Sequence, residues 1–338
     1  MSQSRPRLSS RRGAAPAGAP RDPAPSARPD LPSRVMLRIL EKKTNGGQMP
    51  TDLAPLRAMT NMPMSPIWLS RLPLASVRET TIPGPAGPLV TRIYTPRGVV
   101  RGTLLYLHGG GFVHCGLDSH DGVCCRLARA AGCVVVAPSY RLAPENPFPA
   151  APNDCLAALR WVIEHADTLG GRDASGQPLV AVGGDSAGGN LAAVTCQSAH
   201  ALGLAPLRFQ LLFYPSTHGI EDVPSRTTYA RGYFLTAKLM EWYRDQYLDH
   251  ERHHDDPAFA PALGDLRGLP PALVVTAEFD PLHDEGLQYA ALLNDVGVPA
   301  RHHCYPGTIH GFVSFYPMMP KGRQALAEAG RALRQAFA

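Results

Sequence analysis

Residues 179–194 read LVAVGGDSAGGNLAAV: an apolar run, a cluster of glycines around one serine, then an alanine-rich run. A plain turn needs one glycine at positive φ, whereas here Gly184 and Gly188 stand at i−2 and i+2 of Ser186. The first run has the character of a buried strand and the second that of a helix. Ser186 therefore sits at a strand-to-helix junction, in the G-x-S-x-G pattern of a nucleophile elbow. Such a turn strains the serine backbone, and a Cβ on either flanking residue would meet the returning chain. The helix that follows also points its free N–H groups and positive dipole end toward the serine. A glycine-rich turn that merely packs closely would look the same, so the neighbouring segments must decide.

Outward from this stretch the chain alternates strand-like and helix-like runs, each closed by Gly or Pro. PLVTRIYTP, GTLLYLH, CVVVAPSY, PLVAVGG and LRFQLLFYP read as strands. SHDGVCCRLARAAG, APNDCLAALRWVIEHADTLG, AGGNLAAVTCQSAHALG, EGLQYAALLNDVG and KGRQALAEAGRALRQAFA read as helices. Strands that are β-branched on both faces and separated by helices predict an α/β architecture: a mainly parallel twisted sheet flanked by helices on both sides. Reactive groups are then expected on loops at the strands' carboxyl ends.

Two further segments supply what a serine nucleophile lacks. LLYLHGGGFV ends a strand in His108 and Gly109-Gly110-Gly111, whose side-chain-free backbone can offer N–H groups to an oxyanion, with the N–H of Ala187 as a further donor. The spacing is neither of the two phosphate-cradling glycine patterns. A serine also needs a base, and the base a carboxylate to orient it. PALVVTAEFDPLHDEG ends a strand at Asp280, and HHCYPGTIHGF places His310 after another, so the order is serine, acid, histidine, that of the α/β-hydrolase arrangement. Four acids crowd there: Glu278, Asp280, Asp284 and Glu285. Asp280 is preferred because Pro281 restrains its backbone to extended geometry, while Asp284 and Glu285 are expected to cap the next helix. Most of the thirteen histidines are expected at the surface. DHERHHDD at 249–256 lacks metal-ligand spacing and reads as a solvated loop.

Composition bounds the rest. A chain of 338 residues, 44% hydrophobic, can bury a full core as one domain with insertions. Residues 1–34 hold seven Arg and two Asp, and the remainder balances 26 basic against 26 acidic residues, which argues against a nucleic-acid surface. The basic segment is rich in Pro, Ala, Ser and Arg, and predicts disorder. No apolar stretch follows Arg11-Arg12, which argues against an export signal, and no run of about 18 apolar residues would span a membrane. Seven cysteines without a CxxC pair predict buried free thiols in a reducing, cytoplasmic compartment.

HGGGFV at 108, YRLAPENPFPAAPND at 140, GGDSAGGNLA at 183, RGYFLT at 231, PPALVVTAEFDPLHDEG at 270 and HGF at 310 together resemble the bacterial hormone-sensitive-lipase-like esterases, family IV of the lipolytic enzymes, in the subgroup with a GDSAGG elbow. The resemblance implies an α/β-hydrolase fold and hydrolysis of small-molecule carboxylic esters without cofactor or metal. It also implies Ser186 as nucleophile, Asp280 as acid, His310 as base, and Gly109, Gly110, Gly111 and Ala187 around the oxyanion. One departure is His283, where the family often has Arg. The resemblance further implies a helical cap from residues 35–75 and an insertion at about 216–260, ahead of and within a catalytic domain at 76–338. Acyl contacts are expected among Met59, Met62, Phe234, Leu235 and Met240, with Asp185 also at the substrate. Ordinary core packing is the competing reading of such a Met- and aromatic-rich helix. An amidase or thioesterase would use the same acyl-enzyme, and a ligand receptor on a hydrolase fold would be expected to have lost its base. A homodimer stays open.

Overall fold

The computed structural model describes residues 26–43, 52–218 and 223–338. Three helices lead: α1 (Leu31–Lys43), α2 (Leu53–Thr60) and α3 (Ile67–Arg71). Next come β1 (Leu74–Ile82), β2 (Leu89–Pro96), β3 (Thr103–Leu107), α4 (Asp121–Ala131), β4 (Val134–Pro138) and α5 (Ala150–Glu164). The middle holds β5 (Val180–Asp185), α6 (Ala187–Ala201), β6 (Phe209–Phe213), α7 (Pro224–Thr228) and α8 (Ala237–Tyr247). β7 (Ala272–Phe279), α9 (His283–Asp295), β8 (Ala300–Ile309) and α10 (Pro320–Ala336) follow.

The strands form one eight-stranded sheet in the order β1-β2-β4-β3-β5-β6-β7-β8. β1 and β2 are antiparallel to their neighbours, and every pairing from β4 to β8 is parallel. The expected mainly parallel sheet is therefore present. β1 was not legible as a strand because it is an edge: Leu74 and Ile82 are buried at its ends, while most of the intervening side chains are exposed.

Strand alternation sends side chains to two cores. On β3, Leu105 and Leu107 join one cluster with α5, α6 and α9, whereas Leu104 and Tyr106 join the other with α4 and α10. Truncating a wholly buried leucine such as Leu105 to alanine is expected to cost about 2–5 kcal/mol, enough to matter against a marginal net stability. This rigid sheet holds the ends of β3, β5, β7 and β8 in register, which is where the site lies.

The disorder expected through residue 34 ends earlier. Asp30 donates its N–H to Gly307 O at 2.9 Å and pairs with Lys321 Nζ at 2.9 Å. Its Oδ1 accepts the Ser33 N–H at 3.0 Å as a helix cap, and Met36 is buried in the second core. Composition concealed this because the contacts are backbone and charge, not apolar surface. Residues 1–25 lie outside the described residues. Helices α2 and α8 reach the loop after β3: Arg57 Nε donates to Val113 O at 2.9 Å, and the Tyr243 hydroxyl meets His114 Nε2 at 2.6 Å.

Candidate active site

β5 stops at Asp185 and α6 starts at Ala187, so Ser186 alone makes the turn, with φ 56° and ψ −121°. This backbone region costs a side-chain-bearing residue of the order of 1–3 kcal/mol, so the surroundings must hold it. They do: Ser186 N–H donates to Phe213 O at 2.9 Å, and its carbonyl accepts from Asn190 N at 3.0 Å. A Cβ on Gly188 would overlap the Leu107 carbonyl, and one on Gly184 would overlap the Gly188 carbonyl. The two flanking glycines are thus required by close backbone approach.

His310, one residue beyond β8, places Nε2 at 2.9 Å from Ser186 Oγ and Nδ1 at 2.7 Å from Asp280 Oδ2. Asp280 is wholly buried, and its other oxygen accepts the Leu282 N–H at 2.9 Å. That second bond fixes the carboxylate, since rotating it toward His310 or away would break one of the two. The ring of Tyr214 packs against the imidazole, with centroids 4.8 Å apart. A neutral imidazole protonated at Nδ1 therefore has an acceptor aimed at the serine hydroxyl.

The other three acids of the cluster turn elsewhere. Glu278 accepts N–H groups from Gly307, at 2.5 Å, and from Ser26. Asp284 accepts from Ser225 N at 2.8 Å, and Glu285 accepts from Thr217 N at 2.8 Å and pairs with Arg226. The expectation that Asp284 and Glu285 cap α9 is corrected: their carboxylates reach sideways to Thr217, Ser225 and Arg226, and Asp280 bonds the N–H of Leu282, just ahead of the helix. Burial raises Glu285, an effect partly offset by Arg226. The departure at His283 places its Nδ1 at 3.1 Å from Thr276 Oγ1, on β7 rather than at the acid.

The glycine loop is partitioned. Gly109 N–H donates to Asp185 Oδ1 at 3.1 Å, so Gly109 is not a free donor, which corrects its expected place among the oxyanion groups. The amides of Gly110 and Gly111 have no partner among the described residues, and Ala187, first in α6, has an N–H without an intrahelical acceptor. Asp185 is also corrected. Its buried carboxylate faces inward to Tyr106 Oη at 2.8 Å, Gly109 and His120 Nε2, and so supports the loop instead of meeting substrate. Burial alone would raise its pKa, but His120 and the Tyr106 hydroxyl outweigh burial and hold it below the ordinary value.

Four of the thirteen histidines are buried: His310 and, under this loop, His108, His114 and His120. Burial pushes His108 down to about 3 and His114 down to about 4, so both rings are neutral in the working range. The one available signal was alternation, since His108 continues the inward series Leu104, Tyr106.

The expected acyl residues scatter. Met59, on α2, and Met62, just past its end, are 38% and 63% exposed. Leu235 is buried, Phe234 lies beside Gly311 and packs edge-on against Phe315 at 5.7 Å, and Met240 lines a cavity of about 420 Å³ with His218, Arg226, Arg244 and Phe259. None of the seven cysteines is in a disulfide, and among the described residues no group of three His, Cys, Asp or Glu side chains is arranged to hold a metal ion.

A family model described as the alpha/beta hydrolase fold matches residues 104–314. Esterase LipI of Mycobacterium tuberculosis is 40% identical over 282 residues, 82% of this chain and 86% of the relative. Ethyl acetate hydrolase of Pseudomonas putida is 41% identical over 253 residues, 73% of this chain and 78% of the relative. A solved esterase of Pyrobaculum calidifontis superposes with a TM-score of 0.80 at 40% identity, covering 89% of this chain and 97% of that one. An elbow serine, a buried carboxylate–imidazole pair and relatives at this identity agree: the chain belongs to the hormone-sensitive-lipase-like carboxylesterases of the α/β-hydrolase fold.

Proposed function

We propose that this protein hydrolyses carboxylic esters with short to medium acyl groups, carrying the acyl group on Ser186 between two half-reactions. His310 Nε2 takes the Ser186 proton as Oγ attacks the ester carbonyl. The N–H groups of Gly110, Gly111 and Ala187 hold the oxyanion, and His310 then gives its proton to the leaving alcohol. Water attacks the acyl-enzyme by the same route, with His310 again as base, and the acid leaves. Asp280 fixes the Nδ1–H tautomer and balances the charge of the imidazolium. The observation that carries this reading is the double contact of His310, 2.9 Å to the serine and 2.7 Å to the acid.

The described parts of residues 35–75 and 216–260 serve as a helical cap over the serine in this reading, since α2 and α8 both contact the loop of the oxyanion donors. A covered site suits soluble monomeric esters better than emulsified triglyceride. Relatives named for ethyl acetate and acetyl esters favour a small acyl group. Seven cysteines without a disulfide accord with a reducing, cytoplasmic setting.

The test is a series of p-nitrophenyl esters from acetate to palmitate, beside an anilide, with wild type and Ser186→Ala. Turnover is expected to peak at short chains and to exceed that of the anilide. Ser186→Ala should fall to within about 10³-fold of the uncatalysed rate while keeping its fold. Retention of more than a few per cent of wild-type turnover in the alanine variant would overturn the assignment.

A further inference from the structure

We infer that Tyr243, on α8, is a positioning residue for the oxyanion donors: it holds Gly110 and Gly111 in donating geometry, so that the seating of α8 sets the rate of the chemical step. The inference rests on the esterase reading above.

The loop cannot hold this shape by itself. Gly110, Gly111 and Phe112 follow one another at φ 120°, 61° and 65°, a run of left-handed backbone that includes one non-glycine residue. Such backbone persists only where neighbours over-determine it. From beneath, Asp185 fixes Gly109, and from α2, Arg57 fixes the Val113 carbonyl. Neither contact touches the two free donors.

α8 does. The ring of Tyr243 lies directly on the Cα of Gly111, where any Cβ would overlap it. Its hydroxyl bonds His114 Nε2 at 2.6 Å, and the His114 N–H in turn donates to Gly110 O at 3.1 Å. One helical turn on, Tyr247 stacks flat on Phe112 with centroids 3.9 Å apart. Tyr243 and Tyr247 are i and i+4 on one face of α8, so a single helix face grips residues 111, 112 and 114. The neutral His114 ring, with Nδ1 3.2 Å from Cys115 Sγ, shares a hydrogen bond with the tyrosine hydroxyl at Nε2. Removing that hydroxyl leaves a buried imidazole nitrogen without its partner, next to the peptide that donates to the oxyanion.

The experiment compares wild type, Tyr243→Phe, His114→Gln and the double variant by kcat and KM on p-nitrophenyl acetate. It adds inhibition by a trifluoromethyl ketone, whose carbonyl adds to the serine to give an oxyanion, and the melting temperature. Tyr243→Phe keeps the ring over Gly111 and removes only the hydroxyl. The expected result is a fall in kcat of about tenfold, as for one misplaced hydrogen-bond donor, with KM within about twofold. Ketone affinity should fall by the same factor as kcat/KM, the melting temperature should stay close to wild type, and the double variant should be no worse than the single ones. An unchanged kcat in Tyr243→Phe overturns the inference. So does a loss confined to KM, or a loss of kcat with undiminished ketone affinity. If Ser186→Ala is inactive while Tyr243→Phe is normal, only this inference fails; if Ser186→Ala is active, the esterase reading fails with it.

Discussion

Asp280 does two things with one carboxylate, holding His310 through Oδ2 and the Leu282 N–H through Oδ1. Replacing it by asparagine keeps the shape but lets an amide N–H face the imidazole, which favours the wrong tautomer. Turnover of a short ester by Asp280→Asn is therefore expected to fall by up to ~10⁴-fold with the fold intact. Asp284→Ala should instead keep most of its turnover and lose stability of about 1–2 kcal/mol, because its carboxylate bonds the Ser225 backbone and lies near His283 Nε2 rather than at the catalytic imidazole. Urea unfolding and one kinetic assay on both variants decide between them: an inactive Asp284→Ala beside an active Asp280→Asn would reverse the assignment. At this scale the sequence was most legible where a residue is constrained by its neighbours in the chain. Ser186 sits between glycines and Asp280 before a proline, and both could be picked out from local pattern. Asp185 could not, because adjacency to Ser186 suggests a place at the substrate while the pleat of β5 turns it toward Tyr106 and His120.

Short α7 is locked against the acid loop by two side chains: Ser225 bonds Asp284 and the Pro281 carbonyl, and Arg226 pairs with the buried Glu285. Arg226→Met would leave Glu285 buried without its cation, expected to cost about 3–5 kcal/mol. The sign of its pH dependence follows from burial, which raises Glu285 in the fold. Such a group adds stability at low pH that is lost as pH rises through the folded value. Without Arg226 that folded value climbs further, so the variant's deficit in unfolding free energy should be larger at pH 8 than at pH 5. A deficit independent of pH would mean that Glu285 is not the cause. Nothing in the sequence pointed to α7, since its five residues carry no periodicity and its partners lie some sixty positions away. By contrast α4, α5, α6, α9 and α10 were all legible, because each presents enough turns for apolar spacing to show.

Across the whole molecule, buried and half-buried histidines make stability fall with acid. His108, His114 and His218 are pushed by burial to about 3, 4 and 3. Unfolded, each takes up a proton near pH 6.5, so stability is lost progressively from there down to the folded values. Asp185, held low in the fold, adds its own loss below about pH 4, and Glu285 acts in the opposite sense. The melting temperature is expected to drop by about 10 °C or more between pH 7 and pH 4.5, and a flat profile would contradict neutral burial of these rings. The parallel sheet itself was legible from the alternation of runs, but the edge strand β1 and the packing of residues 26–34 were not, since neither buries a continuous apolar face. One feature of the sheet reaches beyond hydrolysis. Ser186 and His310 are 124 positions apart, and they meet only once β5, β6, β7 and β8 lie side by side. Ester turnover is thus a reading of chain assembly: a nascent or refolding chain stays silent until its last strand docks, and a short ester supplies a clock for that event.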